Sequence, residues 1–288
     1  MSQPTASATS TASPAGGAGL RRGLVGAAAT LVVALLALFI FGPLVWLAVR
    51  AFVTSWSYPN LGPDGWTLDW WGKVFADDQL SNAVYNSFSF ALMTVAASAV
   101  ICLPAAYAFG RYQFPGRRFF LASLFAMNSF PKMGLFVTLA SLFYTLRLME
   151  TQLGVVIVHV MGTVVFMTWI PAAAFAAVPR SLEEAARDAG ASALRVFFSI
   201  TLPLALPSIL VAVIMSFLAS FDEAQGTYLV GGSTYLTMPT QMYRLVEYYP
   251  LQIAAVFSIL LSIPSVVLLA LVRKQIMGGQ LAEGFQLR

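Results

Sequence analysis

Apolar residues run along this chain in six blocks, each about as long as a bilayer-crossing helix, and nearly all charged residues fall in the segments between them. The first block, GLVGAAATLVVALLALFIFGPLVWLAV, is 27 residues without a charge. The others lie near 86–109, 119–145, 153–179, 204–221 and 252–272. This pattern predicts an all-α membrane protein with six transmembrane helices. An even number of crossings puts both chain ends on one side.

Composition supports lipid as the solvent: 59% of residues are hydrophobic and only 10% are charged, where a soluble domain carries about a quarter. The net charge of +4 does not point to nucleic acid, because the basic residues sit in short loops beside apolar blocks and report orientation. Placing both ends in the cytoplasm puts Arg21, Arg22, Arg111, Arg117, Arg118, Arg180, Arg187, Arg195, Arg273, Lys274 and Arg288 inside, eleven residues, and leaves four, Arg50, Lys73, Arg147 and Arg244, outside. The outer segment 51–85 carries Trp56, Tyr58, Trp66, Trp70 and Trp71, rings that favour the headgroup zone, and an interfacial helix is expected near 68–77. The single Cys102 lies in an apolar block and is read as a small packing residue.

Residues 1–22 read as a cytoplasmic tail, since their Ser, Thr, Ala, Pro and Gly cannot bury enough surface to fold. Residues 23–273 form the transmembrane domain and 274–288 a cytoplasmic tail. The first apolar block is too long for a signal peptide and is expected to be retained. Pro43, Pro104, Pro131, Pro171 and Pro264 fall inside blocks, where neighbouring helices can satisfy the freed carbonyls.

The loop between the fourth and fifth blocks is polar and organised. Ser181 with Glu184 three residues on predicts a capping box, and strong helix formers follow as far as Gly190, a natural stop. A second short helix over 192–200 is expected to put Leu194, Phe197 and Phe198 on one side, before Leu202-Pro203 opens the next span. Within this loop, EAARDAGASALRVFFSITLP has the spacing Glu-Ala-Ala, three residues, Gly, nine residues, Ile, one residue, Leu-Pro. That pattern resembles the signature of type I ABC importer permeases, and every fixed position is matched.

The resemblance implies a six-helix type I permease fold in a bacterial or archaeal plasma membrane, with the loop 181–203 carrying a cytoplasmic coupling helix. Glu184, Ala185, Ala186, Asp188, Gly190, Ile200, Leu202 and Pro203 would couple to a dimer of cytoplasmic ABC ATPases. Further implied partners are a second, different permease and an extracytoplasmic solute-binding protein. Transport would proceed by alternating access, with the loop acting as a rigid lever. The chain has no G-x-x-x-x-G-K-[ST] phosphate loop, so ATP and Mg belong to the partner ATPase; it binds no cofactor or metal and is not itself an enzyme. An ion-gradient-driven transporter is the alternative that hydropathy alone would allow.

For the solute, AYAFGRYQFPGRR and IPSVVLLALVRKQIMGGQLAEG resemble maltose-type carbohydrate permeases, whose C-terminal segment inserts between the ATPases, whereas SFDE at 220–223 and TMPTQMY resemble polyamine permeases. A sugar or sugar derivative is favoured, a polyamine is the alternative. Candidate solute-path residues are Asn128, Ser129 and Lys132 in the third block and Asp222 and Glu223 after the fifth. A lysine at the bilayer centre costs about 2.5 to 3.5 kcal/mol and so faces a path or a polar neighbour. His159, the only histidine, is read as a neutral hydrogen-bonded packing residue over a proton relay.

Overall fold

Three long helices, α3 (Asp78–Arg111), α6 (Gln152–Ala177) and α9 (Leu202–Phe221), pack against one another and form the core of a computed structural model that describes residues 16–126 and 130–277, with side chains over 25–126 and 130–273. Buried positions recur every three or four residues on each: Ala91, Thr94, Ser98, Cys102 and Ala106 on α3, and Ala205, Ile209, Ala212, Ser216 and Ser220 on α9. Small side chains dominate this face because lipid supplies no hydrophobic drive, and close van der Waals approach has to replace it. At one end Ala106, Ala172, Phe175 and Ala205 form a layer; Cys102, Met167 and Ala212 form the next. Further along, Ser98 and Thr163 share a hydrogen bond of 2.6 Å, and His159 reaches Ser220 at 2.7 Å.

Cys102 is thus a packing residue, as its apolar surroundings suggested. His159 is buried, with Nδ1 on Ser220 Oγ and Nε2 on Thr227 Oγ1 at 2.6 Å, so two hydroxyls from α9 and α10 (Gln225–Val230) satisfy both ring nitrogens. Such a ring ties three helices together without a charge in the membrane, at a net gain of about 1 kcal/mol per neutral hydrogen bond.

The third apolar block is not one helix. It is divided into α4 (Arg117–Ala126) and α5 (Lys132–Leu146), with Pro131 as the N-cap of α5. Proline donates no backbone hydrogen bond and pushes its predecessor out of the helical region, so a break there follows from covalent geometry. Among the described residues five helices are long and apolar enough to cross a membrane, and α5 is a shorter apolar helix. Pro43, Pro104, Pro171 and Pro264 all lie inside continuous helices.

At the opposite end from Ala106, residues 51–77 form a bonded cap. Val53 bridges Trp66, Trp70 Nε1 donates to the Val53 carbonyl, and the expected interfacial helix is α2 (Asp69–Ala76), where Lys73 sits 4.1 Å from the Trp70 ring. Helix α12 (Leu251–Met277) starts from this cap, where Gln252 donates to the Thr54 carbonyl, and α11 (Met238–Tyr248) is fixed by the Ser87 hydroxyl accepting from Met238 N–H. Helix α1 (Gly16–Arg50) lies almost wholly in a separate compact unit, residues 1–49. Its stretch Val25–Arg50 is long and apolar enough to cross a membrane.

Gly110 marks the closest approach of α3 and α6. A Cβ there would stand 2.6 Å from the Ala172 carbonyl oxygen and 2.8 Å from Phe175 Cβ. Gly110→Ala is expected to cost about 1 to 3 kcal/mol by forcing the two backbones apart. Thermal unfolding in detergent should show a lowered midpoint; an unchanged one would mean that the contact is not tight.

Candidate functional site

The organised loop begins with α7 (Arg180–Asp188), and its start differs from the expectation. Its N-cap is Pro179, not Ser181; the Pro179 carbonyl accepts from Leu182 N–H at 3.3 Å, and Ser181 lies inside the first turn with no capping box. Proline sets the geometry: it holds Val178 extended, with ψ 122, and fixes its own φ near −61, so the helix starts at once behind it. The stop is as expected. Gly190 has φ +87, and Gly190 N–H bonds the Arg187 carbonyl at 2.8 Å while Ala191 N–H bonds that of Ala186 at 3.0 Å, a Schellman ending. Left-handed backbone costs any residue with a Cβ about 1 to 2 kcal/mol, which explains glycine at this position.

Helix α7 therefore has two different faces. Glu184, Ala185, Asp188 and Gly190 are exposed and Ala186 is half-buried, whereas Glu183 turns toward the bundle. The outward side presents small residues with the carboxylates of Glu184 and Asp188 beside the exposed Arg187, so a docking partner could meet them with charge-assisted donors. Leu182, Leu194 and Phe198 add exposed apolar surface beside it.

The second short helix is also not a separate element. Helix α8 (Ala193–Val196), capped by Ser192, continues through a π-helical turn, Phe197–Thr201, straight into α9. Pro203 explains the wide turn: it removes one amide donor and crowds the carbonyl four residues back, and Leu202 N–H instead bonds the Phe197 carbonyl five back. The phase change sends Phe197 inward against Tyr107 and Phe175, with ring centroids 5.3 and 6.3 Å away, and leaves Leu194 and Phe198 outside, so the three do not share a side. Leu202 packs on the layer around Phe175. The motif thus splits: its first half faces out, and Leu202 and Pro203 shape the helix behind it.

Sequence reading took Arg111 only as a marker of the inner side. In the fold it ends α3 and donates Nη1 hydrogen bonds to the Val178 carbonyl at 2.8 Å and the Phe175 carbonyl at 3.2 Å, while its Nη2 forms an ion pair with Glu183. Glu183 Oε1 also accepts from the Thr201 hydroxyl at 2.5 Å, and Arg180 reaches the Arg111 carbonyl at 3.1 Å. Burial raises the Glu183 carboxyl, but the Thr201 and Arg111 hydrogen bonds and the charges of Arg111 and Arg187 outweigh it and hold the group below its ordinary range. The motif spacing singles out Glu184, but nothing in the sequence assigns a partner to Glu183; the helix phase does.

Of the solute-path candidates, Lys132 and Glu223 line one cavity, together with Leu135, Phe136, Met161 and Gly162. Glu223 also accepts from Gly226 N–H at 2.6 Å and is half-buried, whereas Asp222 is exposed. Asn128 and Ser129 lie outside the described residues.

Residues 102–277 match the model of the binding-protein-dependent transport system inner membrane component family. Among similar proteins, a maltodextrin transport system permease protein of Bacillus subtilis is 29% identical over 260 residues, 88% of this chain and 94% of that protein. A putrescine transport system permease protein of Escherichia coli is 28% identical over 221 residues, 73% of this chain and 76% of that protein. Among solved structures, a bacterial ABC transporter for import of the acidic polysaccharide alginate has a chain that superposes with a TM-score of 0.68 at 18% identity, covering 92% of this chain and 99% of that one, a likeness of fold. With two relatives spanning most of both lengths and a family match across the core and the loop, the chain belongs to the binding-protein-dependent ABC importer permeases. It is a multi-pass membrane component.

Because Glu183 is held below the ordinary glutamate value of about 4.3, its ionised form stabilises the fold above that value, and the contribution is lost as pH falls through the depressed one. The unfolding midpoint of Glu183→Gln in detergent should lie below wild type at neutral pH, with the gap closing only in acid. A gap that stayed constant with pH would contradict the ion pair.

Proposed function

We propose that this permease takes up a sugar or sugar derivative, driven by a pair of ATPase subunits, one of which docks on the outward face of α7. The observation that carries this reading is the exposed Glu184, Ala185, Asp188 and Gly190 surface, in register with the family signature and ended by a glycine stop. The docked ATPases use the ATP and Mg, and this chain holds neither. A second permease subunit and an extracytoplasmic solute-binding protein complete the assembly. Both termini lie in the cytoplasm, on the side of α7. The small face admits a groove of the partner closely, and the two carboxylates meet basic donors there.

The sugar assignment is supported by the maltodextrin relative, 29% identical over 88% of this chain. A polyamine is the second reading, supported by the putrescine relative and by the carboxylates of Asp222 and Glu223. In the sugar reading Lys132, Asp222 and Glu223, with Asn128 and Ser129, border the path.

Two measurements test these assignments. Glu184→Lys and Gly190→Pro should leave the permease in the membrane, yet reduce recovery of the ATPase with it at least about tenfold, since a reversed or misplaced interfacial charge costs more than about 1.4 kcal/mol. Undiminished recovery would remove the docking assignment. Proteoliposomes with ATPase and binding protein should accumulate a labelled maltodextrin only with ATP inside. Competition by putrescine but not by sugar would favour the polyamine reading, and uptake driven by an ion gradient without ATP would refute both.

A further inference from the structure

We infer that Arg111, Glu183 and Thr201 are positioning residues that mount the coupling helix rigidly on the transmembrane core, so that motion of α7 is delivered to α3, α6 and α9 together. This rests on the docking face proposed above and adds what lies behind it. A lever transmits displacement only if its fixed end does not yield. Covalently, α7 is held by Pro179 on one side and by the Gly190–Ser192 turn on the other, and each can swivel about a few backbone dihedrals.

The side chains remove that freedom. Arg111 and Glu183 retain only 7% and 13% of their side-chain exposure. The guanidinium spans the C-terminal end of α3, the last carbonyls of α6 at Phe175 and Val178, and the first turn of α7. Those carbonyls are the unpaired acceptors of a helix end, where a cation is favoured by the dipole as well as by hydrogen bonding. Glu183 then carries the connection on to Thr201, inside the π turn at the root of α9. One ion pair and one hydroxyl therefore join the lever to all three core helices. Arg180, bonded to the Arg111 carbonyl, closes the arrangement from the α7 side. None of Arg111, Glu183 or Thr201 belongs to the exposed docking face. Their loss should leave the ATPase bound while the stroke is wasted.

The test is the ratio of solute accumulated to ATP hydrolysed by the complete complex in proteoliposomes, with labelled maltodextrin as solute. Wild type has to show ATP-dependent uptake; if it shows none for any solute its binding protein delivers, the proposed function falls before the mount is tried. Given that uptake, Glu183→Gln should retain the ATPase and its hydrolysis without binding protein, yet lose about tenfold in solute moved per ATP, within the usual range of coupling between sites. Thr201→Val keeps the shape but not the hydroxyl, and Thr201→Ser keeps the hydroxyl, so this pair covers the case in which Glu183→Gln does not assemble. The ratio should drop in Thr201→Val and return to wild type in Thr201→Ser, a pattern that a packing role for the methyl would reverse. A wild-type ratio in Thr201→Val, or in an assembled Glu183→Gln, would overturn the mount.

Discussion

A bilayer core offers no water to accept or donate a hydrogen bond, and each polar group placed there has to find its partner within the protein. Parts of the seam between α3, α6 and α9 answer to that constraint: Ser98 pairs with Thr163 and His159 is bonded at both nitrogens, whereas the buried hydroxyls of Thr94 and Ser216 find no such partner among the described residues. Prolines sit within long helices because surrounding helices share the cost of the missing donors. Where the disruption is greatest, at Pro203, the backbone widens to a π turn and reaches one residue further for its acceptor.

The same constraint decides where charge is allowed. Arg111 and Glu183 lie where the spans end, largely shielded from solvent and paired with each other, a geometry in which removing one member of a pair costs about 3 to 5 kcal/mol while the pair itself is close to neutral for stability. Such a pair is a poor glue but a good specifier of geometry, because only one orientation of α7 satisfies the guanidinium, the two carbonyls and the hydroxyl at once. Lys132 and Glu223 show a different solution. They line a common cavity in which Glu223 is half-buried and Lys132 stays exposed.

Much of this was legible in the sequence. Block length gave the helices, and alternate crossings bring Arg111, Val178, α7 and the root of α9 to one end of the core. Gly190 was readable because its conformation is a local matter. What failed was phase. Ser181 and Glu184 have the spacing of a capping box, but a proline two residues earlier had already started the helix. Phe197 could not be told from Phe198 without knowing that the turn before Pro203 holds five residues to the bond and not four. Glu183 and Glu184 are adjacent and chemically identical; the motif register marks Glu184, which is exposed, but that Glu183 meets an arginine 72 positions earlier is set by long-range packing.

The wide turn has a further consequence. It holds one more residue than a regular helix would, and each helical residue advances the chain by about 100°. Shortening the stretch from Phe197 to Thr201 by one position would restore an ordinary helix and wind everything before it around the axis by that amount. Phe198 would then be swung toward the place Phe197 holds against Tyr107, and the acidic side of α7 would be presented in a new direction. A single surplus residue thus acts as the timing mark that sets which way α7 points.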